Sequence, residues 1–314
     1  MEKRKLGKSG IEFAPIALGG NVFGWTADEA TSHRLLDAFV DAGFSFVDTA
    51  DVYSRWVPGH KGGESEAIIG SWLKKNPVKR AKVQIATKCG MVPADGGLSR
   101  DNIKKSVDES LKRLNTDHID LFQSHRDDKD TPLEETLSTY DELIKAGKIR
   151  YIGASNYEAP RLAEAAKVAR DKGLPAYVSL QPHYNLLERP LFEGPLEDEC
   201  VKEGLGVIPY WPLAAGFLSG KYRSEADLGK SQRGFGVKKY LTDKGLGVLK
   251  ALDAAAKKHN ASNVTVALAW IMQRSSITAP IVSATNLNQL KDLFAAPNLK
   301  LDAESVAALN KASA

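Results

Sequence analysis

"FSFVDTADVY", residues 44–53, is the stretch whose reading decides the fold. It opens as an apolar, β-forming run and then turns to Asp48, Thr49 and Asp51 before reaching Tyr53. A strand that is apolar along its length and polar only at its C-terminal end fits a parallel strand covered by helices, with chemistry at one end. Whether the pattern recurs along the chain separates a barrel from an isolated buried strand.

It recurs. "APIALGG" (14–20) reads as a first strand, followed by a helix whose start is placed at Thr26, with Glu29 three residues on as in a capping box, and whose stop is Gly43. After the strand 44–48 comes the helix "ESEAIIGSWLKKN". "VQIATK" (83–88) precedes a helix opened by Ser99, and "HIDLFQSH" (118–125) precedes a helix with Thr131 as its cap, Pro132 in its first turn and Glu134 three residues past the cap. "IRYIGASN" leads to a helix over 158–172, "YVSLQPHYN" to one around 190–203, and "GVIPYWPL" (206–213) to a long Gly-rich stretch and helices near 242–259 and 264–274. "APIVSA" (279–284), "NLNQLKDLFAA" and "DAESVAALNKA" complete the series as a strand and two helices.

About eight short apolar strands alternating with helices predict a single (β/α)₈ barrel domain over 1–314, with extra C-terminal helices and long loops at the C-terminal face. The competing open, doubly wound sheet is expected to carry GxGxxG after an early strand if it binds a dinucleotide, and "GGNVFG" (19–24) has the wrong spacing. The stretch 214–241 reads as a barrel insertion rather than a linker.

At 314 residues, with 43% hydrophobic and 26% charged residues, the chain is long and apolar enough to bury a core without staples. A net charge of +4 spread without basic blocks argues against nucleic-acid or membrane partners. Two cysteines, Cys89 and Cys200, are too few and too far apart for a disulfide scaffold or a zinc ribbon. With no apolar run behind the charged start "MEKRKLGKSG", a cytoplasmic protein is expected.

In such a barrel, polar residues at the C-terminal ends of strands converge on one mouth. Strand two ends in Asp48, with Tyr53 in the loop beyond; strand three ends in Lys88, and strand four in His125. Each has an ordinary alternative as a turn residue, a solvated strand end or a structural histidine; the four together suit carbonyl reduction. A carboxylate beside Lys88 keeps its ammonium charged, and that charge is expected to bring the Tyr53 hydroxyl down from about 10 towards neutrality. Tyr53 then trades a proton with the substrate oxygen, and neutral His125 polarises the carbonyl. None of these groups supplies hydride, so a cofactor must carry it.

At these residues the chain resembles the aldo-keto reductases, in "FVDTADVY", "GESEAIIG", "IATKCG", "IDLFQSHRDD", "GKIRYIGASN", "PLAAGFLSGKY" and "TAPIVSATNLNQL". The resemblance implies a barrel that binds extended NADPH without a Rossmann motif, a monomer, and the tetrad Asp48, Tyr53, Lys88 and His125. It also implies that Ser155, Asn156 and Gln181 hold the nicotinamide carboxamide and that Tyr210 stacks on the ring. Pro212, Leu213, Gly216 and Lys221 then follow the pyrophosphate, Ser283, Thr285, Gln289 and Asp292 the adenosine end, and Gly20 and Asn21 the nicotinamide ribose. Where many members place Lys and Arg around the 2′-phosphate this chain has Ser283 and Gln289, so the phosphate is expected to rely on Thr285 with Lys221 or Arg233. NADPH is favoured over NADH on this basis.

Two further departures stand out: Trp211, where the related branch commonly has Ser and which is expected to add an aromatic wall beside the cofactor or the substrate, and His183 in "QPHYNL", whose role is open. Phe23, Trp25, Trp56 and Trp211 lie on loops at the proposed mouth and are expected to wall an apolar pocket for an aldehyde or ketone. The alternatives are a non-catalytic NADPH-binding regulatory subunit like the β subunits of potassium channels, which tend to have Asn where this chain has His125, and a lyase using Lys88 as a Schiff base. A metal-dependent hydrolase is disfavoured because the six histidines show no HxH or HExxH pairing.

Overall fold

The structure, a computed structural model, describes residues 2–314. Eight strands form one parallel sheet: β3 (Ala17–Gly19), β4 (Phe46–Asp48), β5 (Gln84–Cys89), β6 (Ile119–Ser124), β7 (Ile149–Ser155), β8 (Ser179–Gln181), β9 (Gly206–Val207) and β10 (Ile281–Val282). From β3 to β9 each pairs with the next in sequence, and β10 returns to pair with β3. A parallel bridge between Val207 and Ile277 and a 2.8 Å hydrogen bond from Ile281 N–H to the Pro209 carbonyl join the two remaining edges. The sheet therefore curls into the (β/α)₈ barrel that the strand-helix rhythm predicts.

Helices cover the outside: α1 (Glu29–Asp41), α2 (Glu64–Lys75), α3 (Arg100–Leu114), α4 (Leu133–Lys145), α5 (Ala159–Lys172) and α6 (Pro195–Glu203). The long segment after β9 contains a four-residue helix, α7 (Gly234–Val237), then α8 (Asp243–Lys258) and α9 (Asn263–Met272); α10 (Leu287–Ala295) and α11 (Ala303–Ser313) follow β10. The strands at 206–213 and 279–284 are shorter than their apolar runs, because Pro209 and Pro212 remove ladder donors and β10 pairs over two residues only.

Two helix starts differ from the sequence reading. α1 is capped by Asp28, whose Oδ1 accepts from Thr31 N–H at 2.8 Å; Thr26 instead closes a turn through its own N–H to the Val22 carbonyl. Asp and Thr are both good caps, and the turn at 22–27 delays the helix to the second of them. Thr131 does not cap α4: its hydroxyl donates to Asp128 Oδ2 at 2.8 Å and ties down the loop.

A small antiparallel hairpin, β1 (Arg4–Lys5) with β2 (Glu12–Phe13), is absent from the sequence reading. It closes the N-terminal end of the barrel, where its Leu6, Ile11 and Phe13 join the inward-facing Ala17, Phe46, Ala86 and Leu121 in one buried cluster. The approach requires glycine: a Cβ on Gly7 (φ +52°) would stand 2.2 Å from the Val178 carbonyl oxygen. The alternate strand residues, such as Val47, Ile85 and Phe122, face the helices in the larger core.

Candidate active site

Strand alternation builds the centre. Asp48 lies two residues beyond Phe46, Lys88 two beyond Ala86, Gln123 two beyond Leu121, and Gln181 two beyond Ser179. Successive side chains alternate between faces, so each polar residue follows an inward-facing neighbour into the barrel, one layer nearer the mouth. The register sets Gly19 beside Asp48 and Lys88 beside Gln123.

Lys88 is fully buried, and its ammonium spends its three donors on Asp48 Oδ2 at 2.7 Å, the Thr49 carbonyl at 2.8 Å and the Tyr53 hydroxyl at 3.1 Å. Asp48 Oδ1 accepts from Gln181 Nε2 at 2.9 Å and Gln123 Nε2 at 3.2 Å. Tyr53 reaches the group on the turn after β4, which Asp51 N–H fastens to the Lys88 carbonyl at 3.1 Å. His125, just past β6, donates its backbone N–H to the Cys89 carbonyl at 2.8 Å and sets its ring edge-on to Tyr53, with centroids 5.9 Å apart. Its Nδ1 is buried without a partner among the described residues. The four tetrad candidates are thus together. Gln123 was missed, although its place two residues after Leu121 and two before His125 is the signal that finds it.

Electrostatics follow from burial. Burial works against the Lys88 ammonium, but Asp48 and Tyr53 outweigh it and hold its pKa above the usual lysine value. Burial, seconded by the Lys88 charge, pushes His125 well below the ordinary imidazole range, so the ring is neutral. Tyr53 departs from expectation: burial raises its pKa, and Lys88, although opposing, does not overcome that. Lys88 therefore does not bring the phenol to neutrality in this state, because a charge that must share its field with Asp48 only partly offsets desolvation.

Asp48, Tyr53 and His125 line one wall of a cavity of 1230 Å³ at the C-terminal mouth. Ser155, Asn156 and Gln181 border it already interlinked: Ser155 Oγ donates to the Gln181 carbonyl at 2.8 Å, and Asn156 Nδ2 to the His125 carbonyl at 2.9 Å. Tyr210 donates its hydroxyl to Asn156 Oδ1 at 2.8 Å and stacks one face on His183, at 5.1 Å and 13° between planes. Trp211, 44% exposed, stands edge-on to both rings. Trp211, Ala214 and Ala215 all adopt left-handed backbone before Gly216, a conformation that costs energy in residues other than glycine. Pro212, Leu213, Gly216 and Lys221 line the cavity along this loop.

Asn21 accepts from Ser283 Oγ at 2.5 Å, while Thr285, Gln289 and Asp292 border the cavity at the start of α10. Gln289 folds back so that its Oε1 accepts from Thr285 N–H at 2.8 Å. Trp25 and Trp56 face the same space edge-to-face, 5.6 Å apart, with Trp56 6.1 Å from the Tyr53 ring. Arg233 places its guanidinium 5.1 Å over Trp25. Three residues expected at the cavity stand behind its wall. Phe23 is wholly buried in the helix-side core, where its ring covers the barrel rather than a ligand. Gly20 packs against Ser65, whose hydroxyl donates to its carbonyl at 2.7 Å, and Lys88 is screened by its three acceptors.

The profile described as the aldo/keto reductase family matches residues 15–314. An uncharacterized oxidoreductase, YrpG, of Bacillus subtilis (strain 168) is 35% identical, covering 99% of this chain and 95% of its own. The L-glyceraldehyde 3-phosphate reductase of Escherichia coli (strain K12) is 31% identical over 95% of this chain and 88% of its own. A probable voltage-gated potassium channel subunit beta of Oryza sativa subsp. japonica is 33% identical over 92% and 89%.

Proposed function

The chain belongs to the aldo/keto reductase family and is an oxidoreductase of carbonyl compounds; from that premise we propose that it reduces an aldehyde or ketone to the alcohol with NADPH, Tyr53 being the proton donor. The observation that carries the reading is the position of the Lys88 ammonium, in hydrogen-bond contact with Asp48 and Tyr53 at once.

The cavity suits the cofactor. It is large enough for an extended dinucleotide and a small carbonyl together, and Lys221 and Arg233 present cationic side chains to it. Ser155, Asn156 and Gln181 are the residues to hold a carboxamide, the open face of Tyr210 to meet the nicotinamide, Gly216 and Lys221 to follow the pyrophosphate, and Thr285, Gln289 and Asp292 to flank the adenosine. NADPH, when bound, supplies the hydride.

The chain's own residues handle the proton. Tyr53, held protonated by its burial, gives its hydroxyl proton to the carbonyl oxygen as charge develops there. Lys88 stabilises the phenolate left behind, and Asp48, oriented by Gln123 and Gln181, keeps Lys88 charged. Neutral His125 offers a ring N–H to the same oxygen. Trp25 and Trp56 shield the reacting carbonyl from water. We read the protein as a monomer acting on a small molecule.

Titration with NADPH and NADH, followed by a screen of carbonyl compounds for NADPH oxidation, tests this. Turnover of at least one carbonyl, with tighter binding of NADPH, is expected. Tight cofactor binding with no turnover across the screen transfers the case to a regulatory subunit.

A further inference from the structure

Asn185, on the loop after β8, is fully buried and stands behind the cavity rather than in its lining. Its Oδ1 accepts from Leu187 N–H at 2.8 Å and Glu188 N–H at 3.2 Å. Its Nδ2 donates to the Trp211 carbonyl at 3.0 Å and lies 3.4 Å from His183 Nε2. Burial holds the His183 pKa below the ordinary imidazole value, so the neutral ring can accept there. A side-chain amide has two acceptor sites and two donors, and all four are met inside the protein. The two backbone donors fix which end is oxygen, and the nitrogen end therefore faces Trp211 and His183.

Those two contacts bracket Tyr210. His183 stacks on one face of the Tyr210 ring, and Trp211, the next residue in the chain, is set edge-on to both. Tyr210 is also held at its backbone, where its N–H donates to the Pro182 carbonyl at 2.9 Å, and at its hydroxyl by Asn156. Trp211 is the costly member of the group. It is a bulky residue at φ +53°, directly before Pro212, where a following proline favours extended backbone instead. Strain of this kind persists only where the surroundings hold it. Two donors hold the Trp211 carbonyl: Ala214 N–H, within the same turn at 2.9 Å, and Asn185 from the neighbouring loop.

Resting on the reading above, in which the open face of Tyr210 meets the nicotinamide, we propose that Asn185 is a positioning residue for the nicotinamide half of the cofactor. Asn185 does not reach the cavity itself. It ties together the two neighbours between which Tyr210 stands, His183 behind and Trp211 beside, and so fixes the plane of the ring on which the nicotinamide lies. Thr285, Gln289 and Asp292, which flank the adenosine half, share none of these contacts.

Binding without turnover tests it, in Asn185→Asp and Asn185→Ala. Asp keeps the acceptor for Leu187 and Glu188 but turns an oxygen towards the Trp211 carbonyl; Ala removes both ends and buries no charge, so it decides the matter if the Asp variant does not fold. NADPH is titrated calorimetrically beside adenosine 2′,5′-bisphosphate, which has the adenosine half and no nicotinamide, with near-ultraviolet circular dichroism to show that each variant is folded. The NADPH Kd is expected to rise about 3- to 10-fold in both variants, the worth of a displaced aromatic stack, while the bisphosphate Kd stays within about twofold of wild type. Equal losses for the two ligands make Asn185 a general support of the loops and overturn the proposal. An unchanged NADPH Kd in a folded variant overturns it too, as does a loss in Ala that Asp does not share. Failure of the underlying reading shows in the wild type instead: a protein that binds neither ligand has no such cofactor site, and the proposal falls with it.

Discussion

The Lys88 ammonium nitrogen lies 3.1 Å from the Tyr53 hydroxyl oxygen and 2.7 Å from Asp48 Oδ2, holding both at once. A fully buried lysine thereby faces a phenol from within a ring of fixed acceptors. Its charge is held before any substrate arrives, and no side chain has to reorganise for it to act on Tyr53.

Tyr53→Phe removes the proton donor and little else, since the hydroxyl is the only part of the ring that Lys88 contacts by hydrogen bond. Turnover is expected to fall roughly 10²- to 10⁴-fold, the usual share of a positioned general acid, with NADPH affinity nearly intact. Steady-state rates beside fluorescence titration of the cofactor check it; full activity in the variant rules Tyr53 out as the donor.

Asp48→Asn leaves the buried Lys88 ammonium without its counter-charge. Removing one partner of such a pair costs about 3–5 kcal/mol, so a clear loss of thermal stability is expected along with the loss of turnover. Calorimetric melting of the variant provides the measurement, and an unchanged Tm contradicts the buried ion pair.

The pH profile follows from two shifts. Tyr53 is raised, so in the reductive direction its acid form persists upward through neutrality, and kcat/KM is not expected to fall until about pH 10 or beyond. His125 is lowered well below the ordinary imidazole value, so no inflection near pH 6.5 is expected. A basic limb centred between pH 7 and 8 is the result that contradicts the first shift.

Asp51, on the turn that delivers Tyr53, is pushed up to about 7 by burial and by the neighbouring Glu66. A carboxyl whose folded pKa lies above its unfolded value of 3.8 contributes stability that is complete in acid and lost as the pH rises through about 7. Asp51→Asn is therefore expected to gain Tm relative to the wild type between pH 5 and pH 8.5. Melting curves at both values decide it, and a difference independent of pH removes the titration from Asp51.

His183 supports Tyr210 from behind, ring on ring, while the other face of Tyr210 opens to the cavity. His183→Ala is expected to weaken NADPH binding several-fold and His183→Phe to restore most of it, because a stacked ring and not a charge is what Tyr210 meets. Equal affinity in all three proteins separates His183 from the cofactor site.

The amino-acid order alone determined the barrel, since apolar strands of period two, each followed by an amphipathic helix, have few other ways to bury both faces. It also pointed to Asp48, Lys88 and His125 meeting near the mouth, because each lies within one residue of the end of its strand. What it left open were properties of packing between distant segments. Gln123 joins Asp48 across 75 positions of chain, and Arg233 meets Trp25 across a loop without periodicity. The direction of the Tyr53 shift was decided only in three dimensions: one neighbouring charge can be read from a motif, but the extent of desolvation depends on everything that closes around the hydroxyl.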